Sequence, residues 1–317
     1  MGYGTLMKPR NTRKLIRISR FLIPGSILLA VLIFTFLFAG KPAVDVRSSL
    51  GKSLRTEVIK TWNSGESQKT FEMTRDALHI NPFEPFFLSM NGIASYYLSM
   101  SKQENEDKQA LLDQCVFNLR KAVALDPKLP IKPQVEYVLG KAYYQKGQPW
   151  FDLSAQYLEN AIKDGYQAKD IDQYLALIYV NMQNHDKAVK YFEKALAINE
   201  SDVLMLSAAL SYKELGENEK ALNYLKRAVE KASDEVVTQK ARFLLAELAK
   251  DSGKDNEAIS LYESILSTDP RSAEAWFKLG LMYELQKDPI KARAAWRKAT
   301  AIDPNYMEAR QRLAERY

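Results

Sequence analysis

Cysteine and histidine are nearly missing, with one and two copies in 317 residues. A lone Cys115 forms no intrachain disulfide, so cysteine usage says nothing about redox compartment. His79 and His185 stand apart, and no cysteine, histidine or carboxylate joins either at metal-ligand spacing. The glycine-rich phosphate loop, the GxSxG elbow and the HExxH helix are all absent. The sequence therefore assigns no catalytic, cofactor-binding or metal-binding residue, and the expectation is a protein that is not an enzyme. Strand-like alternation is almost lacking from residue 50 onward, where apolar residues recur at helical spacing.

Acidic residues are also missing from the first twenty positions, where Lys8, Arg10, Arg13, Lys14, Arg17 and Arg20 stand alone. These six account for the whole formal charge of +6, since residues 21 to 317 carry 39 basic and 39 acidic side chains. The body is neutral, which removes the nucleic-acid reading that a pI near 9.0 invites. Phe21 to Gly40 is an uncharged run of twenty residues, thirteen of them Leu, Ile, Val or Phe. That length suits a hydrocarbon core, and thirteen such residues contribute on the order of −5 kcal/mol towards insertion. A cleaved signal peptide is the competing reading, but Phe38 or Leu37 would occupy the −3 position, where a small residue is needed. No cysteine follows for a lipoprotein anchor, and residue 6 is Leu, so the myristoylation pattern fails. The expected arrangement is a basic cytoplasmic tail (1–20), one transmembrane helix (21–40) and a linker (41–49), with the remainder outside the cytoplasm. In a bacterium with two membranes that space is the periplasm.

The rest of the chain repeats. In the unit Ala273 to Tyr306, Trp276, Leu279, Gly280, Tyr283, Ala292, Trp296, Ala299 and Pro304 fall at positions 4, 7, 8, 11, 20, 24, 27 and 32. This resembles the tetratricopeptide repeat at every signature position. The grid continues upstream through Gln239, Asp202 and Lys169, and through Pro133 with an insertion around GQPW. Two degenerate units precede them, one carrying Gly92, Cys115 and Ala122 and the long polar insertion SKQENEDKQ, the other Trp62, Ala77 and Pro82. Cys115 holds a small-residue position, which makes it a packing residue. The expected organisation is two degenerate repeats over 50–132, five repeats over 133–306 and a polar capping helix over 307–317. The resemblance implies an all-α solenoid, a right-handed superhelix of helix-turn-helix repeats behind the transmembrane helix.

It also implies a concave groove lined by positions 2, 5, 9 and 12 of the first helices. Those positions give Tyr137, Lys141 and Tyr144, then Leu177 and Val180, then Leu206 and Leu210. Phe243 and Glu247 follow, and Phe277 and Leu281 come last. The lysines and asparagines of a carboxylate clamp are missing. An apolar row with scattered charge suits an amphipathic helix or an extended segment of a protein partner, although self-packing or homo-oligomer contacts would also use it. The anchored members of the family that the resemblance brings forward serve in pilus, secretion, lipopolysaccharide or flagellar-motor assembly. The expected function is a membrane-anchored scaffold for such an envelope complex. The alternatives are a structural ring or collar of an envelope machine, and an organelle-surface import receptor with cytosolic repeats. The cluster NPFEPFFLSM, from Asn81 to Met90, reads as repeat core or as a partner or membrane-surface contact.

Overall fold

The computed structural model describes residues 46–232 and 234–315. Among them are fifteen α-helices and no strand. The apolar run from Phe21 to Gly40 and the basic tail lie outside the described residues, and no described helix is long and apolar enough to cross a membrane. The chain divides into two units, residues 1–57 and 58–317. Helix α1 (Val46–Asn63) supplies the described part of the first unit and ends in the second.

In the second unit helices follow one another through short turns: α2 (Ser67–Ile80), α3 (Pro85–Met100), α4 (Asn105–Leu125), α5 (Lys132–Lys146) and α6 (Phe151–Lys163). Next come α7 (Ile171–Asn181), α8 (His185–Ile198), α9 (Asp202–Glu214), α10 (Asn218–Lys231) and α11 (Glu235–Asp251). The series ends with α12 (Asp255–Thr268), α13 (Ala273–Leu285), α14 (Pro289–Ile302) and α15 (Met307–Ala314). Helices α3/α4 through α13/α14 pack as six hairpins, and each second helix also packs on the first helix of the next hairpin. The result is an all-α repeat solenoid.

Local chemistry sets these boundaries. Asn81, Asp126, Asp269 and Asp303 end four of the second-position helices and each precedes a proline. The proline ring disfavours the helical region for the residue before it, and these four have φ between −123 and −135°. Each side-chain oxygen then accepts the backbone N–H two residues on, of Phe83, Lys128, Arg271 and Asn305. That Asx turn starts the link to the next helix. Several turns within helix pairs instead use a left-handed residue. Gly65, Gly216 and Gly253 supply it freely, while Gln183 (φ 57°) and Lys287 (φ 60°) adopt it with a side chain.

Small side chains let the helices approach. Ala122, Ala161, Ala188, Ala221, Ala228, Ala258 and Ala299 are completely buried, and Cys115 packs among them. A Cβ on Gly280 would lie 2.3 Å from Trp296 Nε1, so only hydrogen fits under that fully buried indole. Curvature follows from which helices meet. Three pairs of first helices of adjacent hairpins approach closely, α3 on α5, α5 on α7 and α9 on α11, and no pair of second helices does so to the same extent. The first helices therefore form the inner face of the stack.

The inner face as a candidate binding surface

The inner face opens with a buried cation. Lys141 on α5 is only 9% exposed, and its ammonium donates to Asp170 Oδ2 at 2.8 Å and to Tyr137 Oη at 3.0 Å. Tyr137 Oη in turn donates to Asp170 Oδ1 at 2.6 Å. The rings of Tyr174, Tyr137 and Tyr96 surround the same nitrogen at 4.8, 5.0 and 5.7 Å from their centroids. Burial pushes the Asp170 carboxyl up, but the hydrogen bonds from Lys141 and Tyr137 outweigh it and hold the group below its ordinary value. Burial likewise pulls Lys141 down, and Asp170 with the neighbouring tyrosines turns its net shift upward. Tyr137 and Tyr96 are pushed well up, first by burial and then by the charges and hydroxyls around them. This cluster is a closed circuit with both charges matched.

A second circuit lies three hairpins further on. Glu247 on α11 receives Lys278 of α13 at 2.9 Å and Lys213 of α9 at 3.4 Å, bridging three successive first helices. Burial raises the Glu247 carboxyl, and the two lysines reverse the shift and lower it. Between the circuits several apolar side chains keep surface. Leu177 and Val180 on α7 are half-buried, and Leu210 on α9 is 42% exposed. Tyr144 is half-buried beside Tyr174, with ring centroids 5.1 Å apart. Phe243 is half-buried against Tyr262.

The sequence-derived row thus divides by burial. Tyr144, Leu177, Val180, Leu210, Phe243, Glu247 and Leu281 keep surface on the inner face. Tyr137, Lys141, Leu206 and Phe277 are buried. Phe277 packs with Trp296, Ala299 and Ala309 and stands 5.2 Å from the Tyr306 ring, so it belongs to the core of the last hairpin. Sequence position missed Asp170, Lys213 and Lys278 as partners, because each completes an ion pair with a residue about one repeat away. A signal was available in the recurrence of opposite charges near that spacing.

Nothing on this face assembles reactive groups. Among the described residues no three His, Cys, Asp or Glu side chains cluster as metal ligands. Burial pushes the Cys115 thiol up, away from the nucleophilic thiolate. An open depression of about 690 Å³ lies on α8, a second-position helix, lined by Lys187, Lys190, Tyr191, Glu193, Lys194 and Ala197. All six come from a single helix, so it is a furrow between long side chains with no converging groups.

The tetratricopeptide repeat family matches residues 173–202, 203–234, 239–282 and 273–306. No curated protein matches the chain. Among solved structures, the C-terminal part of a TPR repeat-containing protein from Cytophaga hutchinsonii aligns at TM-score 0.61 and 17% identity, covering 82% of this chain and 100% of that one. Naa15/Naa10 bound to HypK-THB aligns at 0.55 and 16%, covering 83% and 38%. The MamA protein aligns at 0.50 and 18%, covering 57% and 96%. At these identities the likeness is one of fold. Proteins with such repeats are protein-interaction scaffolds, and residues 173–234 and 239–306 of this chain are tetratricopeptide repeats.

Proposed function

We propose that the protein is a membrane-anchored scaffold that holds an apolar helix or extended segment of a protein partner on its inner face while a complex of the cell envelope is assembled. The observation that carries this reading is the pairing of charge on that face. Lys141 is matched by Asp170, and Glu247 is matched by Lys213 and Lys278, while Leu177, Val180, Leu210 and Phe243 between and beside them keep exposed surface. A partner residue of either sign finds no free counter-charge at the circuits, and an apolar one finds area to bury. Anchoring rests on the uncharged run Phe21–Gly40 behind six basic residues, which favours a cytoplasmic N-terminus and extracytoplasmic repeats.

A photo-crosslinking residue at position 210 or 243 captures a protein partner in cells. Leu210→Asp and Phe243→Glu abolish capture while helicity is retained. Unchanged capture in both variants would refute the groove. Leu206 and Phe277 are unsuitable probes, because charge at either buried position tests folding instead. A topology reporter after Tyr317 that is active only in the cytoplasm tests orientation, and activity there would reverse it.

A further inference from the structure

The joint between α2 and α3 is built unlike the later ones. Position 24 of the repeat carries a large apolar side chain in every later second-position helix, namely Leu119, Leu158, Phe192, Leu225, Tyr262 and Trp296, and all six are buried. In α2 that position is Thr74, and position 20, elsewhere alanine, serine or cysteine, is Thr70. Thr70, Thr74 and Ala77 are the buried residues of α2, while Phe71, Met73 and Leu78 are half-buried. The apolar core that runs from Ile93 on α3 to Leu248 on α11 takes no residue from α2, and among the described residues before α3 only Trp62 packs against it. Polar bonds stand where the apolar contact is missing. Asn91 Nδ2 on α3 donates to Thr74 Oγ1 at 2.9 Å and to Phe71 O at 3.1 Å. The tyrosine that on α7, α9 and α13 donates to a glutamate of the preceding helix is here Ser95, which donates to Asn91 O within α3. Thr70 Oγ1 is buried without a hydrogen-bond partner in the protein, a cost that separating the helices relieves.

We propose that α2 is a separately opening element, which leaves α3 as a unit and turns at the 81–84 link while α3 to α15 stay folded. Water can replace what the opening breaks. Thr70, Thr74 and Asn91 exchange their contacts for solvent, and Ser95 and Ser99 on the next turns of α3 stay bonded to Asn91 O and Tyr96 O of their own helix. Thr70, Thr74 and Ala77 withdraw little apolar area from α3, so parting here costs less than parting any later hairpin. The link is fixed on its solenoid side, where Lys121 of α4 donates to Pro82 O at 2.9 Å and Asn81 Oδ1 accepts from Phe83 N–H. Glu84 caps α3 by accepting from Phe87 N–H, so that helix starts without help from α2. The solenoid therefore yields at this joint without baring its core.

The test measures thiol accessibility in the full chain, held in mild detergent, with Cys115→Ala as the background. Ala77→Cys and Ala228→Cys place thiols at repeat position 27 of α2 and of α10, and both positions are buried. A thiol-specific reagent labels position 77 at least about tenfold faster than position 228. Urea below the global transition hardly changes the first rate and accelerates the second steeply. Thr70→Val removes the unpartnered hydroxyl at nearly equal volume and slows labelling at 77 by about three- to tenfold. Amide hydrogen exchange of the unsubstituted chain gives a reading that needs no variant, with α2 exchanging through a local opening while α3 and α8 keep their protection. Equal rates with equal urea dependence at 77 and 228 overturn the proposal, since α2 then opens only with the whole fold. Loss of protection in α3 together with α2 overturns it too, because the opening unit is then larger than α2. An unchanged or faster rate at 77 in Thr70→Val does the same, because the polar joint is then not what sets the opening.

Discussion

Asn91 occupies repeat position 7, where Leu139, Leu175, Leu245 and Leu279 stand in other units. It is fully buried and uses all of its hydrogen-bonding capacity. It donates to Phe71 O and Thr74 Oγ1 on α2, and it accepts from Gln114 and Asn118 on α4. One side chain thus ties three helices together through polar contacts, in a unit that otherwise departs from the repeat pattern. Asn91→Leu restores the usual residue and leaves the buried Asn118 amide without its acceptor, which costs about 2 kcal/mol. Hydrogen exchange accelerates in α2 to α4 while α9 to α14 keep their protection, and uniform loss along the chain would contradict a local hub. Asp170 makes a second residue-scale prediction. Its folded-state value lies below 3.8, so its pairing with Lys141 and Tyr137 stabilises the fold above that pH and is lost as the pH falls through the folded-state value. The gap in urea midpoint between wild type and Asp170→Asn is therefore widest at neutral pH and narrows as the pH falls below the ordinary carboxylate range. Neither hub was legible in the sequence, because periodicity specifies which face of a helix is buried and says nothing of what a side chain meets on helices one repeat away. The same limit applies to Phe277, whose phase gives the inner face but whose burial depends on Tyr306, outside its helix.

Helices of this stack are fastened by a recurring group of three. Tyr179, Tyr212 and Tyr283 on α7, α9 and α13 donate to Glu159, Glu193 and Glu263 on the preceding second-position helix. Lys187, Lys220 and Lys291 at the start of the following helix cover the same rings at 4.5, 4.9 and 5.4 Å. At the α10/α11 junction the corresponding positions are Lys226, Ala249 and Glu257, so all three members are replaced together. The substitutions are consistent with one another, since a glutamate without the tyrosine hydroxyl would lose its donor. The tyrosines were visible in the sequence as position 11 of the repeat, whereas their partners appear only when neighbouring hairpins are seen together. Turns within hairpins give the prediction at this scale. Lys287 holds φ 60° where related turns use glycine, and a left-handed residue with a Cβ is disfavoured by about 1–2 kcal/mol. Glycine also loses more chain entropy on folding, so Lys287→Gly raises stability by about 0.5–1 kcal/mol. A higher urea midpoint with an unchanged slope checks it, and a lower midpoint would show that Lys287 contributes through its side chain instead.

Charge is distributed over the whole molecule in a way that bears on what it can bind. The formal excess of +6 resides in the first twenty residues, and the remaining chain is balanced. Within the described residues the inner face carries two locally balanced circuits. Such a surface gives a partner little long-range attraction, so recognition depends on apolar area, which salt does not screen. This separates the proposed groove from a charged one. Two free lysines engaging a partner carboxylate would lose affinity steeply as salt rises, whereas burial of Leu177, Val180, Leu210 and Phe243 would not. Capture of the partner through positions 210 and 243 accordingly changes by less than about two-fold between low salt and a tenfold higher ionic strength. Opening the N-terminal circuit changes that result in a defined way. In Asp170→Asn the Lys141 ammonium loses its counter-ion, becomes available to partner carboxylates, and makes capture salt-sensitive. If wild-type capture falls steeply with salt, the circuits open on binding and the partner recognises charge. If Asp170→Asn abolishes capture at every ionic strength while the fold is retained, Asp170 itself contacts the partner, and the apolar face is not the whole of the binding surface.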